Sequence, residues 1–70
     1  MKWIKVSDRL PEDGKLILVT QVEDDGRRYV FECRYGAERE TFDAWDGYTQ
    51  DTYEVHGVIA WMHYPEPYMD

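Results

Sequence analysis

The chain has 70 residues and a mass of 8.4 kDa, which limits it to one small domain, predicted to span residues 1–70. Its 11 aromatic residues (three Trp, six Tyr and two Phe) suffice for a core, and no apolar run is long enough to cross a membrane. The 15 acids and 8 Lys and Arg residues give a formal net charge of −7. The N-terminal sequence has none of the features of a secretion signal, so we expect a cytoplasmic location.

The negative charge is concentrated in the second half of the chain. Residues 1–35 contain seven acids and seven bases, whereas residues 36–70 contain eight acids and only Arg39 as a base. Because binding to nucleic acid or to an anionic membrane requires Lys and Arg, the acidic half argues against both. It suits a basic protein surface instead. The alternative is that the charge serves only solubility.

The first strong element in chain order is a β-hairpin. Its strands, Lys15–Val22 and Arg28–Tyr35, flank the pair Asp25-Gly26, which is typical of a type I′ turn. A two-residue loop there predicts one apolar face made of Leu16, Leu18, Thr20 and Val22 together with Tyr29, Phe31, Cys33 and Tyr35. In this register Leu18 lies opposite Cys33, Glu23 can pair with Arg28, and Ile17 and Val19 point to the other face.

Further extended segments surround this hairpin. Trp3–Val6 is a candidate edge strand, Ser7–Gly14 turns the chain, and Glu40–Asp46 and Gly57–Tyr64 are predicted to be extended. The stretch Asp46–His56 lacks regular periodicity and is predicted to be a loop, with one turn of helix as an alternative. We therefore expect a mainly β fold, a single compact antiparallel sheet of three to four strands with a central hairpin, or else a small α+β arrangement. Trp3 and Trp61 are expected to pack in the same core.

No pattern in the chain indicates catalysis, metal binding or a cofactor. His56 and His63 are the only histidines and have no cysteine nearby, and the acids of Asp43–Asp51 lack the spacing of a calcium loop. No nucleophile elbow or phosphate-binding glycine loop is present. Cys33, the single cysteine, lies on the predicted apolar face, where a thiol is inert. We expect a protein that is not an enzyme.

The segment Glu38–Glu54 is the candidate binding region. It contains six acids and one base within 17 residues, interleaved with aromatic side chains. Aromatic residues supply contact area and acids supply steering toward a basic protein. The predicted partner-binding residues are Glu38, Glu40, Asp43, Trp45, Asp46, Tyr48, Asp51, Tyr53 and Glu54. The alternative places Phe42 and Trp45 in the core and leaves the acids as a solvated face.

Both ends of the chain carry recognisable motifs. The opening Trp3-Ile4 and Arg9-Leu10-Pro11-Glu12-Asp13-Gly14, and the closing Trp61-Met62 with Pro65-Glu66-Pro67, resemble the phage and bacterial domain-of-unknown-function family catalogued as number 551. The chain departs from the family pattern at Ala60, where His is usual, and at His63-Tyr64, where Pro-Leu is usual. The resemblance implies no activity, but it implies an accessory role in phages or mobile elements.

These observations lead to two main hypotheses. The first is a small acidic phage-type interaction module, an inhibitor or nucleic-acid mimic that blocks a basic, nucleic-acid-binding host defence protein, as an anti-CRISPR protein does. It would act in the host cytoplasm. The second is a structural or accessory domain that self-associates through exposed aromatic residues. An enzyme acting on a small molecule is a third and weaker hypothesis.

Overall fold

The structure, a computed structural model, describes residues 2–69; residues 1 and 70 of the predicted domain lie outside the described part. Six β-strands and no helix are present among the described residues. The strands are β1 (Ile4–Lys5), β2 (Leu16–Val22), β3 (Arg28–Gly36), β4 (Thr41–Asp46), β5 (Asp51–Val55) and β6 (Val58–His63). The mainly β class and the antiparallel sheet are confirmed, but the prediction of three to four strands was wrong. No helix in residues 2–69 is long and apolar enough to cross a membrane.

The six strands form one antiparallel sheet in the order β1-β6-β2-β3-β4-β5, and this order requires the sheet to curl. In a flat sheet β5 and β6 would be four strand spacings apart, about 19 Å. Only His56 and Gly57 connect them, and three Cα steps reach at most about 11 Å. The end of β5 therefore folds back onto β2, where the Val22 amide donates to the Gly57 carbonyl at 2.9 Å.

The β2–β3 hairpin is present, but its register differs from the prediction by one residue. Ile17 lies opposite Cys33 and Leu18 opposite Glu32, while Val22, not Glu23, lies opposite Arg28. The loop has three residues, Asp24–Gly26: the Gly26 amide donates to the Glu23 carbonyl at 2.9 Å, and Gly26 has a φ of 88°. The extra loop residue turns β2 over, so Ile17 and Val19 point into the core instead of Leu16 and Leu18.

The core lies on one face of the curled sheet. Residues 2–69 provide no second layer over this face, so its side chains bury one another across the curl. Tyr35 packs against Phe42 with ring centroids 5.0 Å apart. The cluster consists of Ile17, Val19, Cys33, Tyr35, Phe42, Ala44, Val55 and Trp61. Trp61 is in the core as predicted, but Trp3 is exposed, because β1 has only two paired residues and Ile4, not Trp3, lies opposite Trp61.

The long loop between β1 and β2 is held against the sheet by polar contacts. The Trp61 indole donates from Nε1 to the Arg9 carbonyl at 2.7 Å, and the Arg9 guanidinium lies 5.6 Å from the centre of the same ring. Asp13 accepts a hydrogen bond from the Ala37 amide at 2.9 Å, and the Gly14 amide donates to the Tyr35 carbonyl at 2.8 Å. These contacts give residues 6–15 a defined course without regular structure.

Candidate partner-binding surface

Most of the predicted binding residues belong to the β4–β5 hairpin, residues 41–55, which we call the acidic hairpin. The stretch Asp51–Val55, predicted to be loop, is strand β5 and forms an edge of the sheet. The Asp46 carboxylate orders the connecting turn by accepting the Tyr48 amide at 2.8 Å, and the Gln50 amide donates to the Asp46 carbonyl at 2.8 Å. The loop prediction was wrong because β5 has only one buried residue, Val55, and so lacks an apolar alternation.

The aromatic side chains of the acidic hairpin divide into one core residue and three exposed ones. Phe42 is buried, as the alternative interpretation expected. Trp45 is not: its exposed fraction is 64%, and those of Tyr48 and Tyr53 are 101% and 51%. Single exposed apolar side chains are normal on a protein surface, but three large ones on a single hairpin offer apolar contact area to another molecule.

The carboxylates of the acidic hairpin do not share one face. Asp43 lies opposite Glu54, on the face away from the core, with Trp45 on the same side. Asp46 lies opposite Asp51 on the core side, next to the turn. The acids therefore surround the β5 edge and form two like-charged cross-strand pairs, an arrangement that weakens the hairpin itself.

Glu38 and Glu40 lie outside the acidic hairpin. Both belong to the exposed turn between β3 and β4, at the end of β4 away from Tyr48. Glu40 has a φ of 56°, a left-handed conformation that closes this turn. The structure thus places seven of the nine predicted binding residues on one hairpin and these two at its base.

Basic side chains do little to neutralise the acidic hairpin. Residues 41–56 contain four acids and no Lys or Arg. Glu54 lies 3.3 Å from Nδ1 of His56. Arg34, which is paired with Asp43 across β3 and β4, directs its guanidinium to the Gly14 carbonyl at 2.7 Å. The hairpin therefore retains a negative potential that a cationic partner can use.

Cys33 is buried as predicted, beside the acidic hairpin. Burial raises the pKa of its thiol from 9.0 to about 12, with a further contribution from the negative charge of Asp43. The thiol is therefore protonated at neutral pH and is not a nucleophile.

The two histidines lie in different surroundings. His56 follows β5, whereas His63 at the end of β6 packs edge-on against Trp61 with ring centroids 5.2 Å apart. Within residues 2–69, no group of three His, Cys, Asp or Glu side chains is arranged to hold a metal ion.

The sequence did not indicate a cleft between the β2–β3 loop and β5. This cleft has a volume of about 780 Å³, and Tyr29, Phe31 and Tyr53 line it together with the acids Glu23 and Asp24. Tyr29 and Tyr53, on its two walls, are 24 positions apart in the chain, so no local motif could have revealed it. The only hint is the acid-rich turn Glu23–Asp25 next to Tyr29.

The structure thus defines a small all-β domain: a single curled sheet with an acidic, aromatic edge. The chain belongs to the family described as "Protein of unknown function (DUF551)", whose model matches residues 2–68. This confirms the family resemblance seen at the two ends of the sequence. No curated protein and no solved structure matches the chain.

Proposed function

We propose that this protein is a non-catalytic interaction module whose acidic hairpin binds a basic surface of another protein. The observation that carries the proposal is the exposure of Trp45, Tyr48 and Tyr53 on a hairpin with four carboxylates and no Lys or Arg. Exposed aromatic residues are the usual anchors of protein interfaces, and the surrounding acids favour encounter with a basic partner.

The energetics of the hairpin support the same proposal. The opposed pairs Asp43–Glu54 and Asp46–Asp51 repel each other in the free protein. A partner that places Lys or Arg side chains beside these pairs removes the repulsion as it binds. Part of the binding free energy then comes from relief of a strain that the isolated fold has to tolerate.

The partner class that fits best is a nucleic-acid-binding protein of the host. Such proteins present Lys and Arg at positions that contact phosphates. Carboxylates on both faces of the acidic hairpin can occupy those positions, so the module would act as an inhibitor or nucleic-acid mimic in the host cytoplasm, comparable to an anti-CRISPR protein. The link to phages is an inference from the resemblance at the chain ends.

The proposal is tested by capture of host proteins on the immobilised chain at about 50 mM and about 500 mM salt, followed by mass spectrometry. The test variant removes four charges from the acidic hairpin by the changes Asp43→Asn, Asp46→Asn, Asp51→Asn and Glu54→Gln. The control removes four charges elsewhere by Asp8→Asn, Glu12→Gln, Asp13→Asn and Glu66→Gln. Circular dichroism establishes that both variants are folded.

We expect a basic protein that binds the unmodified chain and the control at low salt but not the hairpin variant. This protein should bind labelled nucleic acid, and the unmodified chain should displace that nucleic acid. The role of the acidic hairpin is contradicted if both variants capture the protein equally, or if the amount captured does not depend on the salt concentration. Capture without displacement contradicts the inhibitor mechanism alone.

The second candidate function is a self-associating structural domain. It is favoured by apolar side chains exposed on the sheet face away from the core, where Leu16, Val30 and Trp45 lie. A C2 dimer would bury this face against itself. Sedimentation velocity over a wide concentration range tests it: a dimer that Trp45→Ser dissociates supports self-association, and a monomer at every concentration contradicts it.

A further inference from the structure

The cleft between the β2–β3 loop and β5 combines aromatic and acidic residues. Three aromatic residues line it, Tyr29, Phe31 and Tyr53, and the exposed fractions of the two tyrosines, 44% and 51%, leave parts of their side chains open to a ligand. Glu23 and Asp24 line it as well; Glu54 lies on the same wall, but strand alternation directs its side chain to the face away from Tyr53. No Lys or Arg is among the lining residues, so Glu23 and Asp24 have no cationic neighbour of that kind in the cleft.

The curl of the sheet holds the two walls of this cleft together. Gln21 donates from Nε2 to the His56 carbonyl at 2.8 Å, and the Val22 amide donates to the Gly57 carbonyl at 2.9 Å. Val55, which lines the cleft, is part of the buried core. Tyr53 and Glu54 on one wall are thereby fixed relative to Tyr29 and Glu23 on the other, and the cleft exists before any ligand enters.

The chemistry of the lining selects the charge of the ligand. Aromatic rings attract cations through the negative potential of their faces, and carboxylates attract them by charge. An anionic ligand would be repelled by the carboxylates of Glu23 and Asp24, and a neutral apolar ligand would gain nothing from their charge. A Lys or Arg side chain suits both kinds of lining residue, because its apolar chain can pack against the aromatic rings while its charged end lies beside the carboxylates.

We propose that this cleft, lined by Tyr29, Phe31, Tyr53, Glu23 and Asp24, binds one Lys or Arg side chain of a partner protein. The identity of the partner rests on the proposed function, but the preference of the cleft for a cationic side chain does not. The cleft adjoins the acidic hairpin through Tyr53 and Glu54, so one basic segment can contact both.

The experiment is a titration of the full, ¹⁵N-labelled chain with three capped peptides that are identical except for a central Arg, Lys or Gln. Chemical-shift changes locate the binding site. We expect the Arg and Lys peptides to shift the amides of Tyr29, Phe31, Val55 and His56, and the Gln peptide to shift none of them. The comparison of Arg with Lys identifies the preferred cation.

Two tyrosine variants provide the matched control. Tyr53→Leu retains apolar bulk but removes an aromatic face from the cleft, so we expect binding of the Arg peptide to weaken roughly 3- to 30-fold. Tyr68→Leu removes an equally large ring from an exposed site outside the cleft and should leave the affinity unchanged. Tyr29→Leu repeats the test on the other wall if Tyr53→Leu does not fold.

The cleft proposal is overturned if the chemical-shift changes are confined to the Gly47–Gln50 turn. It is also overturned if Tyr53→Leu and Tyr68→Leu lose equal affinity for the Arg peptide. In those cases salt-sensitive capture on the acidic hairpin can still hold, so the proposed function survives. The reverse result, peptide binding in the cleft without any basic partner captured from the host, supports the cleft and contradicts the proposed function.

Discussion

At the scale of single residues, Gly57 is the glycine whose position leaves the least room for a side chain. It joins β5 to β6 with a φ of 81°, and a Cβ at this residue would lie 2.5 Å from the Val22 carbonyl oxygen. A side chain would therefore force apart the contact that returns β5 to β2. Glycine is required here both for its backbone conformation and for the close approach of two chain segments.

We expect Gly57→Ala to lower the free energy of unfolding by about 2 kcal/mol or more. The alanine would have a strained left-handed backbone conformation, and the clash of its Cβ with Val22 would add to that cost. Urea unfolding followed by circular dichroism measures the change. Gly47→Ala is the control, since a Cβ there has no heavy atom within 4 Å and should change stability by less than about 0.5 kcal/mol. Equal losses for the two variants would contradict the steric argument.

Cys33 gives a second prediction at this scale. With its pKa raised to about 12, the folded thiol should react with iodoacetamide at about pH 8 roughly 10- to 100-fold more slowly than the thiol of the unfolded chain, whose pKa is 9.0, because the loss of thiolate outweighs the higher nucleophilicity of a less acidic thiol. Mass spectrometry of samples quenched in native buffer and in urea measures both rates. Similar rates would show that the thiol is accessible in the native fold.

The raised pKa of Cys33 also determines in which direction pH changes the stability of the fold. The folded state holds the Cys33 proton more tightly than the unfolded state does, so this contribution is fully present below about pH 9. It is lost as the pH rises from about 9 toward about 12.

At the scale of secondary-structure elements, β2 shows why strand positions were easier to predict than their pairing. Leu16 and Leu18 on one side of β2, and Ile17 and Val19 on the other, are equally apolar, so alternation could not say which side faces the core. The length of the β2–β3 loop determined which side of β2 faces the core. One additional residue, with Gly26 in the left-handed conformation, moved the pairing by one position.

The acidic hairpin is the element on which like charges oppose each other. Asp51→Asn removes the repulsion with Asp46, while the amide oxygen of Asn can still accept the Thr52 amide as the Asp51 carboxylate does at 2.8 Å. We expect this change to raise the free energy of unfolding by about 0.2–1 kcal/mol at low salt. The gain should disappear at about 1 M salt, where the charges are screened.

Urea unfolding at low and high salt measures this difference. Glu66→Gln in the exposed C-terminal segment is the control, because it removes one negative charge that has no cross-strand partner, and its effect should be smaller. If Asp51→Asn still raises the free energy of unfolding at high salt, the stabilisation does not come from the removal of charge repulsion.

At the scale of the whole molecule, charge is divided between the two halves of the chain. Lys2, Lys5, Arg9 and Arg28 line the two grooves beside β1, at the opposite end of the strand order from the acidic hairpin. The net charge of −7 nevertheless gives the molecule an unfavourable interaction with polyanions at long range.

We therefore expect no binding to double-stranded DNA or to RNA at about 0.15 M salt, because too few basic groups are gathered to release counterions. Fluorescence anisotropy of labelled oligonucleotides tests this. The quadruple hairpin variant described above provides the comparison, since its net charge is closer to zero. Tight, salt-sensitive binding by the unmodified chain would mean that the grooves beside β1 outweigh the acidic hairpin.

The sequence by itself determined the properties that depend on composition and short-range pattern. These are the mainly β class, the positions of β2, β3, β4 and β6, the burial of Cys33 and Trp61, and the acidic second half. Tertiary structure decided the pairing of β2, the strand state of Asp51–Val55, the exposure of Trp3 and Trp45, and the cleft beside Tyr53. Each of these depends on contacts between residues far apart in the chain, and the curl that brings β5 back to β2 creates the cleft.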